Sequence, residues 1–212
     1  PADLALSVNP RFEYGLFETN KGKLVFLASL KEKIQSELKL EKCDLIKAFR
    51  GQELENITVT HPLYAKRTSL VILASFVTED SGTGIVHTAP DFGLDDFNAC
   101  LKYGIKPFQP VDEKGVLHME EGDPLNGLFY AKANDLVVDL LAENGHLYAE
   151  NDIFLPTIDV EKDTLRGPHL KGERFKHFAW VRTAGTRVKL STLQRNEFRF
   201  AATVLHKVER NG

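Results

Sequence analysis

Apolar positions recur every second residue in much of the first third of the chain, and every third or fourth residue in three places, one within that third and two later. Leu4–Val8 and Phe12–Glu18 read as short strands around an Asn9-Pro10 turn, and Asn20-Lys21-Gly22 reads as a hairpin connection to Leu24–Ala28, together a meander. Ser29 is placed to cap a helix whose Leu30, Ile34 and Leu38 share one side. Leu45–Phe49 and Ile57–Val59 predict strands around Gly51, and the largely apolar Leu70–Val77 predicts one buried on both faces. Ile85-Val86-His87 is a β-branched run that Pro90, which lacks an amide hydrogen, should end. Leu94, Phe97 and Leu101 then repeat at helical spacing behind Asp95 and Asp96, with Gly104 as the stop. Pro110–Val116 has strand residues on either side of a turn. Ala131–Asn144 is the clearest helix, with Leu136, Val137, Leu140 and Leu141 on one side and Gly145 behind it. Many short strands with a few helices outside them predict a mainly β fold with peripheral helices, a closed or nearly closed β-barrel that leaves no exposed sheet edge.

Polar chemistry concentrates in one stretch of this pattern, Gly82 to Gly104. Gly82 and Gly84 permit a tight turn or a close approach to a ligand. His87 falls at the end of the predicted strand and Asp96 at the start of the predicted helix, so an imidazole, a carboxylate and oriented amides can converge. Each residue also has a plainer reading. Asp96 is equally suited to satisfying its own helix end, His87 taken alone to a hydrogen-bonded core position, and Thr88 to pinning the loop through its hydroxyl. The other histidines lack ligand spacing.

Composition narrows the class. The 212 residues with 42% hydrophobic content are enough for a real core, and a net charge of −3 predicts no general affinity for nucleic acid or acidic membrane. Cys43 and Cys100 make neither a metal motif nor a disulfide framework, which points to a reducing cytoplasm. No apolar run approaches the roughly 20 residues that span a bilayer, so a soluble protein with no membrane partner is expected. Charge is segregated: residues 162–212 carry 12 Lys or Arg against 4 Asp or Glu, whereas residues 1–161 carry 15 against 26. The basic segment has two readings, a surface for RNA phosphates with Phe175, Phe178 and Trp180 for stacking, or a divergent strand pair or tail.

The stretch Gly-Thr-Gly-Ile-Val-His-Thr-Ala-Pro (Gly82–Pro90), followed by Asp95-Asp96 and Lys102-Tyr103-Gly104-Ile105, resembles the editing-domain signature of isoleucyl-tRNA synthetases. Pro110-Val111-Asp112 with Gly115, Lys132-Ala133-Asn134-Asp135-Leu136-Val137 and the opening Pro1–Ala5 extend the resemblance over about residues 1–151. It divides the chain into an editing-domain core, 1–151, and the basic segment 152–212, which either completes the barrel or is a tail. The resemblance implies a barrel of the Val/Ile/Leu-tRNA synthetase type that hydrolyses the ester of mischarged Val-tRNA(Ile), as part of an isoleucine–tRNA ligase. Asp96 would hold the α-ammonium, and His87 would shape the side-chain pocket and order the attacking water. Gly82, Thr83, Gly84, Thr88 and Asp95 would contact substrate or support the site, amides near Gly82–Gly84 stabilising the oxyanion. Neither cofactor nor metal is implied for the editing step; ATP and magnesium belong to an aminoacylation domain whose signatures this sequence lacks. The implied partners are the acceptor end of tRNA(Ile) carrying valine and the remainder of a synthetase. A non-catalytic module binding the acceptor end is the alternative.

The chain departs from the family at Asp91-Phe92-Gly93, where many members have Gly-His-Gly. The same tripeptide occurs in protein kinases, but no Gly-rich loop, His-Arg-Asp or Ala-Pro-Glu accompanies it, and it is read as coincidence. The family also places a threonine-rich peptide before the residues matching Pro1–Ala5. Deacylation by this chain is therefore expected to rise when such a peptide is supplied.

Overall fold

A computed structural model describes residues 1–80 and 82–148, together with the strands at 150–154, 174–182 and 199–208 as backbone. In chain order the elements are β1 (Ala5–Val8), β2 (Glu13–Thr19), β3 (Gly22–Leu27), α1 (Lys31–Glu37), β4 (Cys43–Arg50), β5 (Thr58–Thr60), β6 (Thr68–Leu73), β7 (Ile85–Thr88), α2 (Leu94–Lys102), α3 (Tyr130–Glu143), β8 (Glu150–Phe154), β9 (Arg174–Arg182) and β10 (Arg199–Val208).

The strands form a mixed ten-stranded sheet in the order β4-β2-β3-β10-β7-β1-β6-β5-β9-β8. This corrects the expectation of a closed barrel. A ring of pairings can be traced through the added β10–β9 contact, but its β5–β9 and β10–β7 links are single residue pairs, Thr60↔Arg182 and Thr203↔Val86. A barrel needs continuous staggered ladders at every joint, and short β5 and β7 offer too few residues to provide them. Strands β4 and β8 end the order as edges. The expected meander is corrected in part as well. β2 and β3 form the expected hairpin through the Asn20-Lys21-Gly22 connection, Thr19 pairing with Gly22, but β4 pairs with β2 on its other side rather than with β3. β1, however, pairs with β6 in parallel and β7 antiparallel, so Asn9-Pro10 carries the chain from one region of the sheet to another.

Alternation along the strands separates three apolar clusters. Leu6, Val8, Val25, Leu27, Val71 and Ile85 face one side, where Ala133, Val137 and Leu141 of α3 cover them. Opposite, Phe17, Leu24 and Phe26 pack under Ile34 of α1, with the rings of Phe17 and Phe26 stacked at 4.2 Å. Farther along that second side, Ala5 and Ile72 meet Ala99 and Cys100 of α2, with Val86 at the margin.

Two local expectations, the Ser29 cap and the strand residues of Pro110–Val116, are corrected, and the face that α2 buries is settled. Ser29 does not cap α1: a 3-10 turn (Ala28–Leu30) intervenes, and its hydroxyl donates to Glu79 Oε2. The α2 positions Leu94 and Leu101 are 76% and 62% exposed, with Phe97 also exposed, and small Ala99 and Cys100 make the contact instead. A nine-residue helix close to a sheet is held by its small face, where the backbones can approach. Pro110–Val116 forms no strand pair; Val111 and Val116 make isolated bridges around Asp112, whose Oδ1 accepts from the amides of Lys114 and Val116. Of the basic segment 162–212, only the backbone of β9 and β10 is described; the aromatic and basic side chains read as an RNA surface lie outside the described residues.

Candidate functional site

The site residues are distributed along β7, and its two ends differ. At the first end Gly82 and Gly84 adopt φ of +71° and +75°, the left-handed region in which glycine is favoured. A Cβ at Gly84 would lie 2.6 Å from Leu27 Cβ. The Gly84 carbonyl accepts from the buried Tyr14 hydroxyl at 2.7 Å, and the Thr83 carbonyl accepts from Leu27 N–H at 2.9 Å. Thr83 is itself buried, its hydroxyl donating to Ile85 O. This turn is locked against β2 and β3. Four residues of strand, roughly 13 Å, separate Gly84 from Thr88, so the structure does not bring Gly82, Thr83 and Gly84 together with the histidine and the aspartates.

The second end of β7 is polar. His87 pairs with Leu6 and Thr88 with Ala5, which sets the residues preceding β1 beside those following β7. Alternation gives the two side chains opposite faces. Thr88 is fully buried, its Oγ1 lying 2.6 Å from Ser7 Oγ and donating to Val86 O, so its hydroxyl pins the strand. His87 shares a face with Ile85, and its side chain is 22% exposed.

Helix α2 arrives on the Val86 side. Its N-cap residue is Gly93, and no side chain caps it. Asp96 turns back to the strand, where its Oδ2 accepts from Ala89 N–H at 3.3 Å. The bond to Ala89, rather than a cap, is thus what Asp96 makes. Burial pushes its carboxyl above the usual aspartate range, against the opposing pull of the Ala89 amide and the His87 charge. Among the described residues no Lys or Arg pairs with it. Asp95 is exposed in the first turn, adding negative charge there. His87 and Asp96 thus lie near one strand end, close enough to interact electrostatically, without a direct hydrogen bond among the described contacts.

Asp3 is the residue that sequence reasoning missed as a site residue. It enters above only within the Pro1–Ala5 resemblance, although an acid set against the apolar run Leu4-Ala5-Leu6 is a signal worth heeding, since a carboxylate there must be paired. It is buried just before β1; Oδ2 accepts from Ser69 Oγ at 3.0 Å, and Oδ1 accepts from Thr88 N–H at 3.4 Å and lies 3.5 Å from His87 Nδ1. Burial raises its carboxyl, but the neighbouring His87 imidazole and the Ser69 hydroxyl outweigh that and hold it below the usual range. His61, buried nearby, is pushed down to about 3 by desolvation and stays neutral at physiological pH. No group of three or more His, Cys, Asp or Glu suited to a metal occurs among the described residues. Cys43 and Cys100 are buried free thiols. No described helix is long and apolar enough to cross a membrane.

Known proteins resemble the chain in sequence and in fold. The isoleucine–tRNA ligases of Bacillus cereus and Bacillus anthracis are each 44% identical to the chain over 147 residues, 69% of this chain and 16% of the relative. The chain thus spans about a sixth of the length of these curated relatives. No protein-family model matches it. A solved structure described as "The crystal structure of GlLeuRS-CP1" superposes with a TM-score of 0.54 at 20% identity, covering 71% of this chain and 79% of that one, a likeness of fold.

Proposed function

We propose that this chain, homologous to one segment of the isoleucine–tRNA ligases and sharing the fold of a CP1 domain, is an editing domain that hydrolyses the ester of Val-tRNA(Ile). The observation that carries the reading is Asp96: a half-buried carboxylate, turned from its own helix to the end of β7, with no cationic side chain beside it among the described residues. The α-ammonium of an aminoacyl ester supplies the missing positive charge. Binding it there holds the neighbouring ester carbonyl near His87, which lies at the same strand end within electrostatic reach of Asp96. Holding the ester and a water in reacting geometry accounts for a large part of a hydrolytic rate enhancement. His87 orders that water and limits the volume open to the amino-acid side chain. The chemistry needs no covalent nucleophile and no metal. In this reading the partners are the tRNA acceptor end and the rest of a synthetase.

The test is deacylation of Val-tRNA(Ile) by the full chain and by its Asp96→Ala variant. Loss of the ammonium anchor is expected to slow hydrolysis on the order of a hundredfold or more, with the fold retained by circular dichroism. A wild-type chain that binds the acceptor end without hydrolysing it, joined by a variant altered only in affinity, would favour the acceptor-end binding module.

A further inference from the structure

The surroundings of His87 contain a second carboxylate with a different task. We infer that Asp3 is the positioning residue of His87, fixing the hydrogen on Nδ1 so that Nε2 is presented as an acceptor to water or ester. The inference rests on the editing reading only for its catalytic consequence.

Three observations carry it. His87 Nδ1 is closed to solvent and makes no hydrogen bond of its own, and Asp3 Oδ1 stands 3.5 Å away. A ring nitrogen sealed beside a carboxylate is stable only as a donor, because its lone pair would otherwise face negative charge without compensation. The carboxylate, in turn, is held from two sides: Ser69 Oγ donates to Oδ2, and Thr88 N–H, the amide next to His87, donates to Oδ1. These bonds tie Asp3 to β6 and to β7, so the oxygen facing the imidazole cannot swing away without breaking the seam between β1, β6 and β7. Finally, the side chain keeps 22% of its surface exposed while Nδ1 is sealed, which leaves Nε2 as the nitrogen available to a ligand. The 3.5 Å separation is long for a formed bond. Such contacts commonly tighten when substrate is bound.

The neighbouring His61 does not compete for this role. Held neutral by burial, it supplies Asp3 with no full positive charge at physiological pH. Without His87 as a donor, Oδ1 would keep only the long Thr88 contact.

The deciding experiment is a long-range proton–nitrogen NMR spectrum of the histidine rings in the full chain above pH 7.5, with His87 assigned by its loss in His87→Gln. The wild type is expected to show His87 with hydrogen on Nδ1. In Asp3→Ala the hydrogen should move largely to Nε2, whereas Asp3→Asn, which keeps an acceptor oxygen toward Nδ1, should hold the wild-type state. A wild-type spectrum with hydrogen on Nε2 overturns the inference, and so does an Asp3→Ala spectrum unchanged from wild type. If Asp3→Ala fails to fold, the wild-type and Asp3→Asn spectra still decide. In deacylation of Val-tRNA(Ile), Asp3→Ala should lower kcat on the order of a hundredfold with KM nearly unchanged. A tautomer result as expected, in a chain with no deacylase activity even when the threonine-rich peptide is supplied, would defeat the editing reading and leave the positioning role standing; activity with the wrong tautomer would do the reverse.

Discussion

The two ends of β7 solve opposite problems with the same four-residue strand. At Gly84 the described contacts all point inward: the Tyr14 hydroxyl on the Gly84 carbonyl, the Leu27 amide on the Thr83 carbonyl, and glycine where a Cβ would strike Leu27. At Thr88 the groups are charged and unevenly matched. Asp3 is held below its usual range by surrounding donors, whereas Asp96, nearby, is pushed above its usual range by burial and lacks a cation among the described residues. A closed, well-satisfied end gives stability; an end that leaves one carboxylate under-compensated is prepared for a positively charged ligand. The glycine motif and the histidine motif lie a few residues apart in sequence yet serve these separate ends.

The sharpest way to break the contrast is Gly84→Ala. It combines a left-handed backbone with a Cβ that meets Leu27 Cβ at 2.6 Å, and should destabilise the chain by about 2–5 kcal/mol in urea unfolding. A loss below about 1 kcal/mol would mean that this end is not locked as described. Next in size is Tyr14→Phe. Removing the hydroxyl leaves the Gly84 carbonyl and the Asn9 amide without their bonds, for an expected cost of about 1–3 kcal/mol. Neither variant touches the polar end directly.

The smallest effect has the opposite sign. Asp96 has a raised carboxyl pKa in the folded chain, so its contribution to stability is full below the unfolded pKa and is lost as pH rises through the folded value. Asp96→Asn should therefore raise the thermal midpoint at pH 7, and the gain should shrink as pH falls into the aspartate range. Asp3 behaves in reverse. Its pKa is lowered, so its contribution is present above the unfolded value and lost as pH falls through the folded one. Acid titration of Asp3→Asn against wild type should thus show a deficit at neutral pH that narrows below about pH 4. Equal and parallel pH profiles for the two variants would contradict the assignment of different tasks to the two carboxylates.

Much of this was legible along the chain. The apolar pattern located β2 and β3, and the β-branched run before Pro90 located β7, each to within a residue or two; Gly104 and Gly145 marked helix ends where φ is indeed +66°. The motif around His87 and Asp96 identified the strand, loop and helix that meet at the polar end. Other features were not legible. Strand pairing between β1, β6 and β7 joins residues more than 60 positions apart, and no local pattern distinguishes it from the simpler hairpin with β2. The Leu94, Phe97 and Leu101 spacing marked a helix that does form, but not which way the stripe faces; the structure turns it outward, because periodicity reports a face without saying what covers it.

The sequence by itself determined the local chemistry: which segments extend, where glycine must stand, and that an imidazole and a carboxylate flank one strand-to-helix loop. These follow from short-range sterics and side-chain identity, which need no knowledge of the rest of the chain. Only the tertiary structure decided that Gly82–Gly84 belongs to a packing lock, that the sheet stays open, and that Asp3 stands against His87. Those outcomes depend on contacts between segments far apart in sequence, whose joint burial and hydrogen bonding are set by the whole sheet.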